Sequence, residues 1–581
     1  MIKLIIKYKV LPIAVIACVI LSLSSCNEEE FLTVDNPNSI TDATFWNTPT
    51  QFNSALNTVY GAMQFQAISG SGLSQEIIRT DIADTYVWFG RWNIFRQLTY
   101  TDASEQLVDK WNQLYIGIFR ANQVINNIEI ADASVFAPME RETILAQARC
   151  LRAFFYFELI HTYGKAVIRT EVSVTDLNKA TSTIQEVNEQ VIIPDLNYAR
   201  LNLPKTWTDS KDLGRVTSGT ATSLRGKVYL FDEQWGPAAD DFKEVIESNA
   251  YSLTPNSMDN FTDQNEFNSE SILEVAYSST ANPGVNGQNV DDTPFSSGAE
   301  SNAIASNHTS IAFGGFNVVV SNLYLHELFT NDEIDPTNPI NTDNVHSRRL
   351  NASICPKGFE GTYYGVDKDD ENASKVHQYS GLGLTALVKK YTNWYQGTSE
   401  IPLNRSGINF RHIRLADIYL MYAEAVLNES SNVAEAIKYI DLVRKRAGVK
   451  TIQQYLDANS NTFPQLHISK QVYGPDQPMV NPSKETIMTH IRMVERPLEL
   501  CFEGQRWRDL VRWGIVKSAL TTMGKDLEWR RDNFEDIEGK EPLNITGSVN
   551  LLSLIGIEKY NSTAHDYFYI PAAEQQSNDG L

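Results

Sequence analysis

Between Glu140 and Tyr163 the apolar residues Ile144, Ala148, Leu151, Phe155 and Leu159 recur at steps of four, three, four and four. That spacing lays them along one face of a helix. Ala153, Phe154, Phe157 and Ile160 form a second apolar face on the same segment. A helix that is apolar on two sides has to be covered on two sides, so it belongs inside a layer of other helices. Gly164 supplies a stop signal. The stretch before it, Trp111 to Ile130, carries Leu114, Ile118, Ala121, Ile125 and Ile128 on one stripe and predicts a partner helix.

The pairing recurs. Ala221 to Trp235, a turn at Gly236-Pro237, and Ala238 to Glu247 read as helix, turn, helix. Leu415 to Leu427, a turn over 428–432, and Val433 to Ala447 read the same way. From Leu415 to Gly448 is 34 residues, the tetratricopeptide period. Ala423, Ala425 and Ala436 are small enough to let such helices approach closely. Stacked helix pairs bury a continuous core and leave a concave face for partners. Long polar stretches lie between the pairs, from Ala281 to Ser310 and from Asn331 to Asn344, and loops of this length are usually functional or disordered. Ile272 to Tyr277 and Tyr567 to Ile570 read as short strands. The expected fold is all-α dominated, with tetratricopeptide-like helix pairs, long irregular loops and a few short strands.

The chain carries 71 acidic against 49 basic residues, a formal charge of -22. That is the wrong sign for wrapping nucleic acid or for docking electrostatically on anionic lipid. Five cysteines in 581 residues make no disulfide framework. Cys150 and Cys501 sit in apolar patterns and Cys355 in a loop; without a Cys-x-x-Cys spacing they read as buried thiols. No phosphate loop, nucleophile elbow or dinucleotide fingerprint occurs. His326-Glu327 lacks the second histidine of a zinc helix. Asp367, Asp369 and Glu371 begin like a calcium loop, but Asn372 and Gln378 occupy the sixth and twelfth positions, where glycine and glutamate are needed. No cofactor is expected, and a structural calcium in this acidic loop is the one metal in question.

The first 25 residues are read as an address. Lys3, Lys7 and Lys9 form a basic start, and Val10 to Leu23 is an apolar run too short to span a bilayer comfortably. Leu23-Ser24-Ser25-Cys26 resembles a bacterial lipobox. Cleavage there makes Cys26 the first mature residue and the site of lipidation, with 26–40 as a flexible tether.

Two blocks and the two ends of the chain make it recognisable. Glu495-Arg496-Pro497-Leu498-Glu499-Leu500-Cys501-Phe502-Glu503-Gly504-Gln505-Arg506-Trp507-Arg508-Asp509-Leu510-Val511-Arg512-Trp513-Gly514 resembles the signature of the SusD/RagB family. So does Arg414-Leu415-Ala416-Asp417-Ile418-Tyr419-Leu420-Met421-Tyr422-Ala423-Glu424-Ala425. Phe31-Leu32 with Thr44-Phe45-Trp46 is similar to the family's start, and Tyr569-Ile570-Pro571-Ala572-Ala573-Glu574 to its closing strand and turn. The acidic run Asn27-Glu28-Glu29-Glu30 is similar to the surface-export signal of Bacteroidetes lipoproteins. The resemblance implies one SusD-like domain over 26–581. It implies a lipid-anchored protein of the outer membrane, exposed at the cell surface, that catalyses nothing. It further implies that the protein binds an oligosaccharide or polysaccharide and delivers it to a SusC-like TonB-dependent transporter. Peptide cargo on the same scaffold and a surface glycoside hydrolase are the alternatives.

Pro497 interrupts the apolar pattern Ile487, Ile491, Val494, Leu498, so a kink is expected there. The arginines and carboxylates around it read as an ion-pair network linking two helices. Sugars are held by flat aromatic faces with planar polar side chains beside them. The first candidate segment is Asp81 to Tyr100, with Asp81, Trp88, Arg91, Trp92 and Asn93 as the leading residues. The second is Lys389 to Gln396, with Trp394 and Tyr395 adjacent, so that in an extended loop one can point inward and the other outward. Tyr363 and Tyr364 between Gly361 and Gly365 are a third, and Phe313 and Phe316 around Gly314-Gly315 a fourth.

Overall fold

The computed structural model describes residues 45–581 apart from 86–89, 173–174, 176–177, 285–298, 343, 357–358, 368–385, 398–404, 470–476 and 534–551. The leader 1–25, Cys26 and the tether 26–40 therefore lie outside the described residues, as do Trp88, Asp369 and Glu371. Among the described residues no helix is long and apolar enough to cross a membrane.

Eight helices form the frame: α1 (Pro49–Met63), α2 (Glu105–Ile130), α3 (Glu140–Tyr163), α4 (Ile193–Asn202), α5 (Ser218–Phe231), α6 (Trp235–Glu247), α7 (Leu415–Ser430) and α8 (Val433–Ala447). Each packs on the next in that order, giving one continuous array. The order in space hides a gap in the chain. α6 ends at Glu247 and packs on α7, which starts at Leu415, so residues 248–414 leave the array and return to it.

Every residue of α3 from Cys150 to Tyr163 is buried, as its two apolar faces require. The α2–α3 contact is close because Gly117 has no side chain: a Cβ there would meet the Phe155 ring at 2.7 Å. Gly164 ends α3 in the left-handed region (φ 74°), and its N–H donates to the Ile160 carbonyl at 2.8 Å.

Several boundaries differ from the sequence reading. α2 starts at Glu105, six residues before Trp111. α5 stops at Phe231, and Gly236-Pro237 lie inside the first turn of α6, where proline's missing N–H removes no helical hydrogen bond. Tyr567 to Ile570 forms no strand; Phe568 N–H donates to the Thr162 carbonyl at 2.8 Å and pins that tail to the end of α3. Cys355 lies on a strand, not in a loop, and Cys150, Cys355 and Cys501 are all buried and free.

The strands that matter here are β1 (Ala83–Asp84), β2 (Ser271–Val275), β3 (Val320–Ser321), β4 (Ile354–Pro356), β5 (Ala386–Val388) and β6 (Phe410–Arg414). β2 is the expected strand and pairs antiparallel with β6, which runs directly into α7. The other four form one antiparallel sheet in the order β1-β3-β5-β4.

The chain accommodates Pro497 through a widened helical turn. Ile491–Glu495 forms a π-helix, and Arg496–Leu500 resumes as α-helix with Pro497 in its first turn. Pro194 follows the π-helix Asn188–Ile192 in the same way.

The charges of this block form far more than a link between two helices. Arg349 and Arg444 alternate with Asp332 and Glu495 in a closed square, with contacts of 2.5, 2.5, 2.7 and 2.9 Å. Arg414, Arg446 and Lys390 neutralise Glu270, Glu499 and Glu503. Arg496 bridges Asp417 and Asp509, and Arg512 bridges Asp509 and Glu424. Arg508 grips Glu158 of α3 through two bonds of 2.6 and 2.7 Å. Burial alone would raise the Glu495 carboxyl, but Arg349 and Arg444 hold it well below the usual carboxylate range. Arg79 and Lys110 likewise overcome burial at Glu76 and bring it down to about 2. Glu503 is held low by Arg414 and Lys390 against the same burial effect.

Two outcomes follow from these pairs. Glu495→Gln leaves two buried guanidinium groups short of a charge and should cost about 3–5 kcal/mol in denaturant unfolding. A loss below about 1 kcal/mol would contradict the square's role. Carboxylates held low in the fold also stabilise it above their unfolded values, and that stability drains away as pH falls from about 4.5 downward. The melting temperature should therefore drop steeply between pH 5 and pH 3; an unchanged melting temperature over that interval would refute the linkage.

Candidate functional site

All four aromatic segments hang from the β1-β3-β5-β4 sheet. Asp84 of β1 pairs with Val320 of β3, Ser321 of β3 with Ala386 of β5, and Val388 of β5 with Ile354 of β4. In this antiparallel register the exit of β1, the entry of β3 and the exit of β5 fall at the same end. The segment bearing Phe313 and Phe316 enters β3 there, and the segment bearing Trp394 and Tyr395 leaves β5 there. The chain also leaves β1 there, toward Trp88, which is outside the described residues.

Tyr363 and Tyr364 follow β4 and return through a hairpin, Thr362–Tyr363 against Val366–Asp367. Its loop is Tyr364-Gly365, with φ of 51° and 75°. A two-residue hairpin loop of this kind needs positive φ at both positions, which glycine accepts and a bulky tyrosine resists. Tyr364 is held there by its N–H to the Trp394 carbonyl (2.9 Å) and its hydroxyl to that of Thr309 (2.7 Å).

These segments assemble a small second core of Cys355, Phe359, Tyr363, Tyr364 and Leu387, with Phe313 and Trp394 packed half-buried on it. Phe313 stacks on Tyr364 (centroids 5.1 Å, 15°) and meets Tyr363 edge-on (5.4 Å, 85°). Tyr363 is fully buried and donates its hydroxyl to the Val388 carbonyl at 3.1 Å, so it is the floor of the platform and not a ligand contact. This corrects its assignment as a binding residue.

Trp394 and Tyr395 lie in one turn of 3-10 helix, Trp394–Gln396, and both are half-buried. The expectation of one ring in and one ring out fails because the chain is wound and not extended. The rings stand at 84° with centroids 5.8 Å apart. Tyr395 is anchored by Asp263: its hydroxyl donates to Oδ1 at 2.7 Å and accepts the Asp263 N–H at 3.1 Å. Gln396 Nε2 reaches Asp263 Oδ2 at 3.4 Å and Asn393 Oδ1 at 3.3 Å. The result is a half-exposed aromatic surface edged by planar polar groups.

The leading residues of the first segment are placed differently. Asp81 is fully buried and held by Arg506 through bonds of 2.7 and 2.8 Å, so it belongs to the ion-pair frame and is unavailable to a ligand. Trp92 is 5% exposed and part of the main core, and Asn93 is buried beside it. Both lie on the helix Gly90–Arg96, whose inner face packs Phe95 against Tyr100 at 5.3 Å. Arg91 is exposed, with its guanidinium 5.3 Å from the Trp92 ring. Of Asp81, Arg91, Trp92 and Asn93, only Arg91 reaches the surface.

A family model described as the SusD family matches residues 269–581. The chain belongs to the SusD family. A second model, described as starch-binding associating with outer membrane, matches residues 30–230. SusD-like protein P25 of Formosa agariphila is 25% identical over 544 residues, covering 90% of this chain and 92% of that protein. A SusD superfamily protein from Bacteroides vulgatus has the same fold, with a TM-score of 0.69 at 23% identity over 93% of this chain and all of the other. A laminarin binding SusD-like protein matches with a TM-score of 0.64 at 24% identity, over 92% and 98% of the two chains.

On this SusD fold the residues missed by sequence reasoning are Asp263 and Lys389. Asp263 lies 132 residues from Tyr395 in the chain, and no local pattern connects them. Lys389 was only the edge of a segment. Among the described residues no group of three or more side chains is placed to hold a metal ion. The platform and its floor separate by mutation. Tyr363→Ala should cost about 3–5 kcal/mol as a large buried aromatic is removed, while Trp394→Ala costs under about 2 kcal/mol because its ring is half solvated. Equal losses in urea unfolding would contradict this division.

Proposed function

We propose that the protein is a surface-exposed outer-membrane lipoprotein that captures a glycan and passes it to a SusC-like TonB-dependent transporter. The observation that carries the glycan reading is the platform itself. Trp394, Tyr395 and Phe313 offer half-exposed rings, and Asp263 and Gln396 edge them with exposed hydrogen-bonding groups. A sugar ring has an apolar C–H face and an equatorial belt of hydroxyls, and such a surface matches both. Trp88 is proposed as a further contact, since its segment leaves the same end of the sheet. The family and the laminarin-binding relative support the same reading. We read the platform as a binding surface and assign no catalytic residue.

Each sugar face removes roughly 50 Å² of apolar surface from water, worth about 1.2 kcal/mol. Three such contacts with a few hydrogen bonds place the dissociation constant on the order of millimolar to high micromolar. That range suits a protein that has to release its cargo. Lipid at Cys26 would hold the protein near the transporter and raise its effective concentration there.

Affinity electrophoresis through gels containing a polysaccharide panel tests the binding. At least one glycan should retard the protein, and Trp394→Ala with Tyr395→Ala should abolish that retardation. Retardation unchanged in the double variant would place the site elsewhere. Separately, Cys26→Ala should release the protein from the outer-membrane fraction; persistent fractionation with the membrane in cells lacking the transporter would refute the lipid anchor.

A further inference from the structure

Two adjacent lysines follow β5, and they are treated oppositely. Lys390 Nζ is fully engaged, donating to Glu503 Oε1 and to the Glu499 carbonyl, each at 2.7 Å. Lys389 is only 3% exposed, yet among the described residues no carboxylate lies within 4 Å of its ammonium and no hydrogen bond holds it. Its one close partner is the indole of Trp394, with Nζ 3.6 Å from the ring centroid. The buried ammonium covers one face of a ring that is itself half-buried.

The other groups facing Lys389 do not neutralise it. The Cys355 thiol on β4 is pushed up to about 12 by burial, so it is neutral. Glu360 is the remaining charge that acts on Lys389, and it is spent elsewhere. It accepts from the Val345 and His346 backbone N–H groups and from the Asn351 amide.

We infer that the Trp394 end of the platform takes an anionic group of the glycan, a sulfate ester or a uronate carboxylate. This rests on the glycan-binding reading above. The unneutralised ammonium gives this end of the platform a positive potential, and the indole rim is the ring's electropositive edge, so both favour an electronegative group beside the ring while its free surface still accepts a sugar C–H face. The low-dielectric surroundings leave the field of the ammonium poorly screened. The Tyr395 end, with Asp263 and Gln396, keeps its preference for hydroxyls. The ligand is therefore a glycan in which a charged unit and a hydroxyl-rich unit are neighbours.

Burial, the largest influence, lowers the Lys389 ammonium to about 8. Its charge is present at neutral pH and is lost as pH rises through that value. A bound anion stabilises the charged form and moves the loss to higher pH.

The test uses two matched pairs of polysaccharides: laminarin sulfate with laminarin, and alginate with its carboxyl-reduced form. Binding is measured at pH 7 and pH 9.5, for the protein and for Lys389→Met. The expected result is an acidic member bound about tenfold more tightly than its neutral counterpart at pH 7. That preference should fall toward unity at pH 9.5 and in Lys389→Met, with binding of the neutral member retained. Equal binding of both members at pH 7, or a preference that survives at pH 9.5 with no decrease, would overturn the inference while leaving the glycan platform standing. Binding of no glycan in any pair would overturn the platform reading itself. The pH comparison needs no variant, so a poorly folding Lys389→Met does not remove the test.

Discussion

Buried arginine–carboxylate contacts are what the rest of the molecule depends on. Two of the clusters are electrically closed: two arginines against Asp332 and Glu495, and Arg414, Arg446 and Lys390 against Glu270, Glu499 and Glu503. Balanced clusters of this kind tolerate burial, whereas a lone charge does not. Their partners come from distant parts of the chain. Asp81 meets Arg506 across 425 residues, and Glu158 meets Arg508 across 350. The clusters therefore tie the helical array to the excursion that leaves it after α6 and returns at α7. The widened turn before Pro497 belongs to the same arrangement, since it lets Glu495 and Glu499 enter two different clusters from one short helical stretch.

The frame reaches the candidate site through Lys390. Its contacts to Glu499 and Glu503 fix the exit of β5, and the next turn of chain carries Trp394 and Tyr395. Lys389, the residue before Lys390, places its ammonium against the Trp394 ring instead. The sheet supplies the remaining order. Its antiparallel register brings the segments bearing Phe313 and Trp394 to one end.

The helices were legible because their apolar periodicity is local: α3, α7 and α8 follow it closely. The array was legible only in pieces, since the excursion between α6 and α7 breaks the repeat in sequence while leaving it intact in space. At the site the outcome divides by the range of the deciding contact. Trp394 and Tyr395 were singled out from the local sequence alone, and both lie half-buried. Asp81 was misread because an acid beside aromatics looks like a sugar contact, and nothing nearby announces Arg506. Trp92 and Tyr363 were misread because an aromatic at the surface and one in a core have the same letter; only packing separates them. Asp263 and Lys389 were invisible because their importance arises from long-range pairing in one case and from a missing partner in the other.

The central claim is that the half-exposed rings at one end of this sheet form a glycan platform. The most direct measurement is a crystal structure of the protein with an oligosaccharide that it binds. The account predicts sugar density stacked on Trp394 or Tyr395 and within hydrogen-bonding reach of Asp263 or Gln396. Density seated instead on the outer faces of the helical array, with the Trp394 surface empty, would contradict it.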